Sequence, residues 1–327
     1  MATGDIGIDL GTRNSLVYTT GRGMILSEPT VVVYDRNAER IRMIGEEAKS
    51  MADHSLSGLE LVWPIRNGVI MDYIVLEKLL KYYITKAMGR NAFRKPRISI
   101  CVPASITDIG RKALEEASYL AGARKVFFVR SPLAAALGSE LDISKPAGNL
   151  VVDIGAGSTD VAVLTMYGIA VQGSVRVGSD ALNKAIIAYA RKTHNLFIGE
   201  DLAEQIKLGI GAAYEEKTPR SMEVKGRNVI TGLSKVVTMT SEDVREAIGD
   251  TAGQMIGLIR QILEKTPPEL ASDIVDRGIV LSGGGAMLSG MDRLVEEATG
   301  ISTMTMPNPM ISTVIGTARY AQIASER

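Results

Sequence analysis

The stretch Asp-Ile-Gly-Ala-Gly-Ser-Thr-Asp, residues 153–160, decides the fold class of this chain. Mostly apolar runs lie directly before it, at 149–152, and directly after it, at 161–164. Two such runs joined by a short glycine-containing segment predict two strands connected by a tight turn. An aspartate therefore ends the first strand, and the turn that follows carries two glycines and two hydroxyl side chains.

A second version of this pattern lies at the N-terminus, in IGIDLGTRNSLVY, residues 6–18. It again runs from an apolar strand to an aspartate, a glycine, a hydroxyl residue and a further strand. Each motif alone also fits an ordinary tight hairpin turn. Their duplication favours two similar lobes that each present such a hairpin.

The residue types in the two turns are suited to a nucleoside triphosphate. Glycines let the backbone approach a phosphate closely, and successive N–H groups form an anion-binding nest. The hydroxyls of Thr12, Ser158 and Thr159 are further candidate donors. The carboxylates of Asp9 and Asp153 would repel a phosphate unless a cation lay between carboxylate and phosphate. Mg²⁺ can fill this role because it binds the oxygen atoms of both groups.

A third glycine cluster lies in LSGGGAML, residues 281–288, between a strand pattern and a helical pattern. Backbone without side chains can lie flat against a purine or a ribose. The alternative is a plain strand-to-helix turn, which needs one glycine rather than three. Residues 155–157 are disfavoured as a Rossmann dinucleotide-binding loop, because a strand rather than a helix follows Gly157. No P-loop motif is present in the sequence either.

Composition excludes several classes of function. The 327 residues carry 37 basic and 37 acidic side chains, so no electrostatic argument supports nucleic-acid binding. One cysteine, Cys101, excludes a disulfide framework, and it lies in an apolar run typical of a core strand. His54 and His194 lack partners at metal-ligand spacing. With no basic leader and no apolar stretch near the roughly 20 residues of a membrane span, we expect a soluble, cytoplasmic protein.

Short apolar strands alternate with helical patterns, which predicts an α/β fold. The predicted strands are 6–10, 15–18, 30–33, 98–102, 125–129, 150–154, 160–164 and 278–281. The predicted helices are 108–121, 180–193, 241–265 with Ser241 as its cap, and one that starts at Ser131 and Pro132. Residues 33–65 and 215–240 are more polar and are interpreted as insertions into this frame.

The three motifs, in this order and spacing, resemble the actin–Hsp70–sugar-kinase superfamily and most closely the MreB family of bacterial actins. The stretches PIRNGVI at 64–70, PLAAALG at 132–138 and EKTPPEL at 264–270 support the resemblance, as do AGARKV at 121–126 and DRGIVL at 276–281.

This resemblance implies an actin-like fold of two lobes, which are duplicated ribonuclease-H-like domains, each with a small inserted subdomain. The subdomains would be IA (1–32, 66–145 and 316–327), IB (33–65), IIA (146–181 and 246–315) and IIB (182–245).

The resemblance also implies ATP or ADP with Mg²⁺. Asp9 and Asp153 would hold the metal through water, in the family's manner. Glu204 and Lys207 would lie near the nucleoside; on spacing alone they fit an exposed helical pair. The residues implied to contact the nucleotide are Thr12, Arg13, Asn14, Gly155, Gly157, Ser158, Thr159, Glu204, Lys207, Gly283, Gly284, Gly285, Ala286 and Met287. Asp153, Ser158 and Ser131 would be the catalytic group.

Ser131 departs from the family pattern, in which a glutamate usually precedes the proline of this stretch. A serine hydroxyl is too weak a base at neutral pH to replace that carboxylate, although it can hold a water. Because phosphate hydrolysis depends on orienting water, and loss of such a group costs about 10²–10⁴ in rate, we expect a weak ATP hydrolase. Arg13 occupies a position where the family usually has a small residue, and Ser158 occupies one where the family has a threonine.

The resemblance implies head-to-tail polymerisation into paired filaments on the inner face of the cell membrane, where they organise wall synthesis and cell shape. Cell-wall or morphogenesis proteins would be partners, and nucleic acid would not. For the membrane contact we expect the loop 89–97, with Ala92, Phe93 and Arg94 at its tip; a solvated basic turn is the alternative.

Other functions remain open. Asp160 stands where the family usually has a glutamate, which leaves a filament for plasmid or organelle positioning as the closest rival. A small-molecule kinase of the superfamily would need a further carboxylate base and a sugar-sized pocket. An Hsp70-like chaperone would carry a peptide-binding domain after the nucleotide domain.

Overall fold

The computed structural model describes residues 5–52, 58–89, 95–139 and 141–326. The chain divides into two compact units. Unit 1 comprises residues 1–146, 164–169 and 307–327, and unit 2 comprises residues 147–163 and 170–306.

The elements of the first part of the chain are β1 (Ile6–Leu10), β2 (Asn14–Thr19), β3 (Gly23–Pro29), β4 (Val32–Asp35), β5 (Arg40–Ile44), α1 (Glu46–Lys49), β6 (Glu60–Val62), β7 (Ile65–Arg66), β8 (Val69–Ile70), α2 (Tyr73–Met88), β9 (Arg97–Val102), α3 (Asp108–Leu120), β10 (Lys125–Arg130) and α4 (Ser131–Gly138). Those that follow are β11 (Asn149–Ile154), β12 (Thr159–Thr165), β13 (Gly168–Val175), α5 (Ser179–His194), β14 (Leu196–Phe197), α6 (Glu200–Ile210), β15 (Ser221–Asn228), β16 (Ser234–Thr240), α7 (Ser241–Lys265), α8 (Pro268–Arg277), β17 (Ile279–Ser282), a 3₁₀ turn (Gly284–Met287), α9 (Met291–Thr299), β18 (Thr303–Thr305) and α10 (Pro309–Glu326).

Unit 1 is built on a five-stranded sheet in the order β3-β2-β1-β9-β10. The first three strands pair antiparallel, whereas β9 and β10 run parallel to β1. Apolar side chains of β1 and β9, such as Ile8 and Ile100, are fully buried in one core with Leu76 and Leu80 of α2. A three-stranded sheet, β5-β4-β6, forms a small extension.

Unit 2 repeats this arrangement. Its sheet has the order β13-β12-β11-β17-β18, in which β17 pairs parallel with both β11 and β18. All residues of β11 are buried, and its apolar side chains share a core with α5, α6 and α7. The actin-like α/β fold with a duplicated frame, expected from the two hairpin motifs, is therefore confirmed.

Most predicted elements are present, with three corrections. The strand expected at 30–33 begins at Val32, because the Thr30 N–H and hydroxyl donate to carbonyls of the turn after β1. The cap of α7 is Thr240, not Ser241: the Thr240 hydroxyl accepts from Asp243 N, and the Asp243 carboxylate accepts from Thr240 N. The edge strand β3 was not predicted.

The four-part subdomain division stays a prediction. The small sheet β14-β15-β16 falls within the range proposed for subdomain IIB, and β5-β4-β6 falls almost wholly within that proposed for IB. Within the described ranges, no helix combines the length and the apolar character needed to cross a membrane.

Candidate functional site

The turn of the first hairpin lies between β1 and β2 and is held from behind by Thr30. The Gly11 N–H donates to Asn14 O over 3.1 Å and closes the turn. The Thr30 hydroxyl donates to Gly11 O over 2.8 Å, and the Thr30 N–H donates to Arg13 O over 2.8 Å. Thr30 is fully buried and also bonds Ser15 Oγ, so this anchor is rigidly placed.

The turn of the second hairpin, between β11 and β12, is held in the same way by the N-terminus of α5. The Gly155 N–H donates to Ser158 O over 2.9 Å. The N–H groups of Ser179 and Asp180, at the start of α5, donate to the carbonyls of Gly155 and Ala156, each over 2.9 Å. Gly178 permits this approach, since a Cβ there would lie 2.5 Å from both carbonyl oxygens.

These anchors decide where the N–H groups of the turns point. In a trans peptide the carbonyl and the next N–H point in opposite directions, and all described peptides are trans. Because the carbonyls of Gly155 and Ala156 point toward α5, the N–H groups of Ala156 and Gly157 point away from it. By the same reasoning the N–H groups of Thr12 and Asn14 point away from Thr30. Each turn thus offers two outward N–H donors, and those of Ala156 and Gly157 are successive, as in an anion-binding nest.

The hydroxyls of the second turn have different roles. Thr159 is fully buried and donates to Val177 O over 2.7 Å, which removes its hydroxyl from the phosphate donors suggested by the sequence. Ser158 donates to Asp160 Oδ2 over 2.9 Å. With its proton directed at Asp160, the Ser158 oxygen presents lone pairs, which suit a metal ion or a metal-bound water rather than a phosphate oxygen.

Asp9, Cys101 and Ser131 lie along one edge of the sheet of unit 1. Asp9 is in register with Cys101 on the parallel strand β9, and Ser131 directly follows the parallel strand β10. Ser131 is 7% exposed, and its Oγ lies 3.3 Å from Cys101 Sγ and 3.4 Å from Val102 O. The structure thus places the serine at the carboxyl ends of the parallel strands, with β9 between it and the strand of Asp9.

Desolvation raises the pKa of Asp9 to about 6. A carboxylate that is costly to ionise within the protein is stabilised in its charged form by a nearby cation. Asp153, at the end of β11, is buried, whereas Asp9 is half-buried.

The carboxylate ligands available here suit Mg²⁺ better than a metal ion whose ligands all come from the protein. Among the residues that the structure describes, no group of three His, Cys, Asp or Glu side chains is arranged to hold a metal ion. Mg²⁺ is commonly bound by one or two carboxylates, with phosphate oxygens and waters completing its shell. Asp9 at the end of β1 and Asp153 at the end of β11 each lie beside outward N–H donors, so each offers a carboxylate of the kind that suits such an ion.

The third glycine cluster packs against the end of β11. Gly283 has φ +82°, and a Cβ there would clash with Ile154 O and lie 2.8 Å from Asp153 Oδ1. A Cβ on Gly285 would clash with the Ile154 side chain, whereas one on Gly284 would meet nothing within 4 Å. Two of the three glycines therefore allow close packing beside Asp153, and Gly284 leaves an open backbone surface.

Glu204 and Lys207 form a partly buried pair on α6. Lys207 is 7% exposed, and its Nζ donates to Glu204 Oε2 over 2.9 Å and lies 3.5 Å from Ser179 O. Asn183 of α5, 1% exposed, donates from Nδ2 to the same carboxylate oxygen over 2.6 Å. The pair is thus not the exposed helical pair that spacing alone allows, and it contacts the helix start that holds the second turn.

Sequence reasoning missed Thr30, Asn183 and Gly178. Thr30 was interpreted only as the start of a strand, and Asn183 as an ordinary helical residue. Their roles depend on contacts with residues 17 to 23 positions away in the chain, for which the local pattern carries no signal.

Comparison with known proteins agrees with this geometry. The sequence model of a family described as MreB/Mbl protein matches residues 3–326. The cell shape-determining protein Mbl of Bacillus cereus is 40% identical over 313 residues, which cover 96% of this chain and 94% of that protein. The cell shape-determining protein MreB of Escherichia coli K12 is 41% identical over 316 residues, covering 95% and 91%.

Among solved structures, MreB5 of Spiroplasma citri bound to ADP has a TM-score of 0.91 at 30% identity, covering 98% of this chain and 97% of that one. The same protein bound to AMPPNP has a TM-score of 0.92 at 29% identity, covering 100% and 98%. The duplicated sheet and its two aspartate-tipped hairpins define an actin-like protein. The chain belongs to the MreB/Mbl family of bacterial actins. It is a cytoskeletal protein of the cell-shape class.

Proposed function

We propose that this chain binds ATP with Mg²⁺ through both hairpin turns and, in that state, polymerises into filaments. The observation that carries the proposal is the anchoring of two carbonyls in each turn, by Thr30 in one and by the start of α5 in the other. This anchoring directs four N–H groups away from the protein interior, where they can donate to phosphate oxygens.

The nucleoside would be bound by residues of unit 2. Glu204 offers a carboxylate to ribose hydroxyls, and the open backbone at Gly284 offers a flat surface to the base. Lys207 balances the charge of Glu204 in a buried position. The binding of ADP and AMPPNP by MreB5 of Spiroplasma citri supports an adenine nucleotide for this chain as well.

Hydrolysis in the proposed site is slow. Ser131 has no carboxylate with which to orient or activate a water, and its Oγ lies against Val102 O and the Cys101 thiol. Asp153 and Ser158 remain to hold the metal and its waters. Filament assembly needs only a difference in protein conformation between the nucleotide states. Slow hydrolysis therefore favours filaments that persist.

Self-association in paired filaments, at the inner face of the cell membrane, completes the proposal. The membrane segment proposed from the sequence, with Ala92, Phe93 and Arg94, lies outside the described residues. Arg97, at its edge, forms a bidentate ion pair with the buried Asp5, over 2.6 and 2.8 Å. Its guanidinium is therefore engaged, and the basic charge offered to lipid comes from the rest of the loop. Wall-synthesis or morphogenesis proteins are the proposed partners.

The test is sedimentation of the purified chain with Mg-ATP, with Mg-ADP and without nucleotide, followed by negative-stain microscopy. The proposal expects filaments in the pellet that depend on ATP. A chain that binds ATP but stays in the supernatant at every concentration, and transfers phosphate to a small hydroxyl compound, would instead be a kinase of the same fold.

A further inference from the structure

Arg220, in the connection between α6 and β15, donates four hydrogen bonds, two to carbonyls at the end of α6 and two to Glu216 in the same connection. Its guanidinium bonds Gly209 O over 3.1 Å and Gly211 O over 2.8 Å. It also forms a bidentate pair with Glu216, over 2.8 and 3.2 Å. We propose that Arg220 is a positioning residue that sets the spacing between α6 and the 3₁₀ turn for a nucleoside. This inference rests on the proposed function.

The first link runs from Arg220 to Lys207. The carbonyls of Gly209 and Gly211 lie at the C-terminus of α6, where a cation and its donors satisfy groups that have no partner within the helix. The Gly211 N–H donates to Lys207 O over 2.9 Å. By holding the Gly211 peptide, Arg220 therefore holds the last turn of α6, which carries Lys207 one turn after Glu204.

The second link runs from the same segment to the loop after the 3₁₀ turn. Ala212 and Ser289 form a parallel bridge, and the Ala213 N–H donates to Ser289 O over 2.7 Å. Glycine is required at 211, because a Cβ there would clash with Lys207 O and lie 2.8 Å from Leu288 Cδ1. The end of α6 and the end of the 3₁₀ turn are thus in direct contact.

The third link is the carboxylate of Glu216. The Ser289 hydroxyl donates to Glu216 Oε1 over 3.3 Å, and that oxygen also accepts from Arg220. The Arg220 guanidinium is the main cause that holds the pKa of Glu216 below its ordinary value, so the pair is ionised at neutral pH. Arg220 therefore bonds α6 directly and the loop at Ser289 through Glu216.

The consequence concerns affinity for the nucleoside rather than for phosphate. Without Arg220, α6 and the 3₁₀ turn can move apart, and only a fraction of the molecules has the spacing that fits a nucleoside. The apparent affinity for the nucleoside falls in proportion to that fraction. The two hairpin turns use other anchors, Thr30 and the start of α5, so binding of a bare triphosphate keeps its strength.

The experiment measures binding of Mg-ATP and, by competition, of Mg-tripolyphosphate to the full chain and to Arg220→Gln. We expect ATP to bind about tenfold more weakly to the variant, with tripolyphosphate changed by less than about twofold. Arg220→Lys keeps the charge but not the planar fork, and is expected to recover only part of the loss.

Arg260→Gln is the matched control. Arg260 lies in the same unit and donates two bonds to Ala298 O, over 2.6 and 3.0 Å, but none to α6. The Arg260→Gln variant should bind both ligands as strongly as the unchanged chain does. The inference is overturned if Arg220→Gln binds ATP normally, if both ligands weaken equally, or if Arg260→Gln shows the same loss. Failure of the unchanged chain to bind ATP would instead overturn the proposed function.

Discussion

The Cys101 thiol lies 3.3 Å from Ser131 Oγ, at the carboxyl ends of two adjacent parallel strands of unit 1. Ser131 is nearly buried, and its hydroxyl also reaches Val102 O. Both hydrogen-bonding partners belong to β9, so this side chain is held in place at the end of that strand.

Replacing Ser131 by glutamate is expected to speed ATP hydrolysis at least tenfold, because a carboxylate there can orient and activate a water. Phosphate release per chain, at saturating Mg-ATP, is the measurement. Ser131→Gln is the matched control, since it has the same size but no basic oxygen. Equal rates for the two variants, or rapid hydrolysis by the unchanged chain, would contradict the role assigned to position 131.

Replacing Asp9 by asparagine is expected to stabilise the nucleotide-free chain above pH 6. Burial raises the folded-state pKa of Asp9 from 3.8 to about 6, so the stability contributed by the protonated form is lost as pH rises through 6. The loss is at most about 3 kcal/mol at pH 7.5 and about half of that at pH 5. Melting temperatures of the variant and the unchanged chain, compared at both pH values, measure it.

Asp142→Asn supplies a control of opposite sign. Hydrogen bonds from Ser144 and Lys145 lower the pKa of Asp142 to about 2, so its ionised form is favoured at neutral pH. This substitution should lower the melting temperature or leave it unchanged. If Asp9→Asn also lowered it at pH 7.5, the account of Asp9 would be wrong.

Neighbouring glycines of the 281–288 loop should respond differently to alanine. Gly283→Ala forces a side chain into a left-handed conformation against Ile154 O, which costs roughly 1–3 kcal/mol. Gly284→Ala has open space and should keep the melting temperature, but weaken ATP binding if the nucleoside covers this backbone. A normal melting temperature for Gly283→Ala would contradict the packing, and normal ATP binding by Gly284→Ala would contradict the nucleoside contact.

Phe93→Asp is expected to abolish binding of the polymerised chain to vesicles of anionic lipid, because an aspartate cannot enter the acyl layer and opposes the lipid charge. Co-sedimentation with vesicles, under conditions in which both proteins polymerise, is the measurement. Tyr119→Asp introduces the same charge at an exposed position of α3 and serves as the control. Equal pelleting of Phe93→Asp and the unchanged chain would remove this loop as the membrane contact.

The duplicated fold could be predicted because its signal is local. Each hairpin places an aspartate and glycines between apolar runs, and α7 runs from a polar cap to Pro267-Pro268 as its pattern indicates. The edge strand β3 could not be predicted, because its apolar and polar residues do not alternate and it includes glycine, serine and proline. Its pairing with β2, rather than its composition, makes it a strand.

The site could be predicted in part for the same reason. Asp9, Asp153 and the glycines belong to recognisable motifs, whereas Thr30, Asn183 and Arg220 act through contacts distant in the chain. The sequence also suggested the Thr159 hydroxyl as a phosphate donor, although it is used within the fold. Residue type shows which bonds a side chain can form, and only the tertiary structure shows which of them it does form.

The most direct measurement of the central claim is calorimetric titration of the chain with ATP, in the presence and absence of Mg²⁺. The account predicts one ATP per chain, with Mg²⁺ strengthening binding at least tenfold, and with most of that gain lost in Asp9→Asn and in Asp153→Asn. Binding that does not depend on Mg²⁺, or that is unchanged by either substitution, would contradict the proposed binding of a magnesium nucleotide.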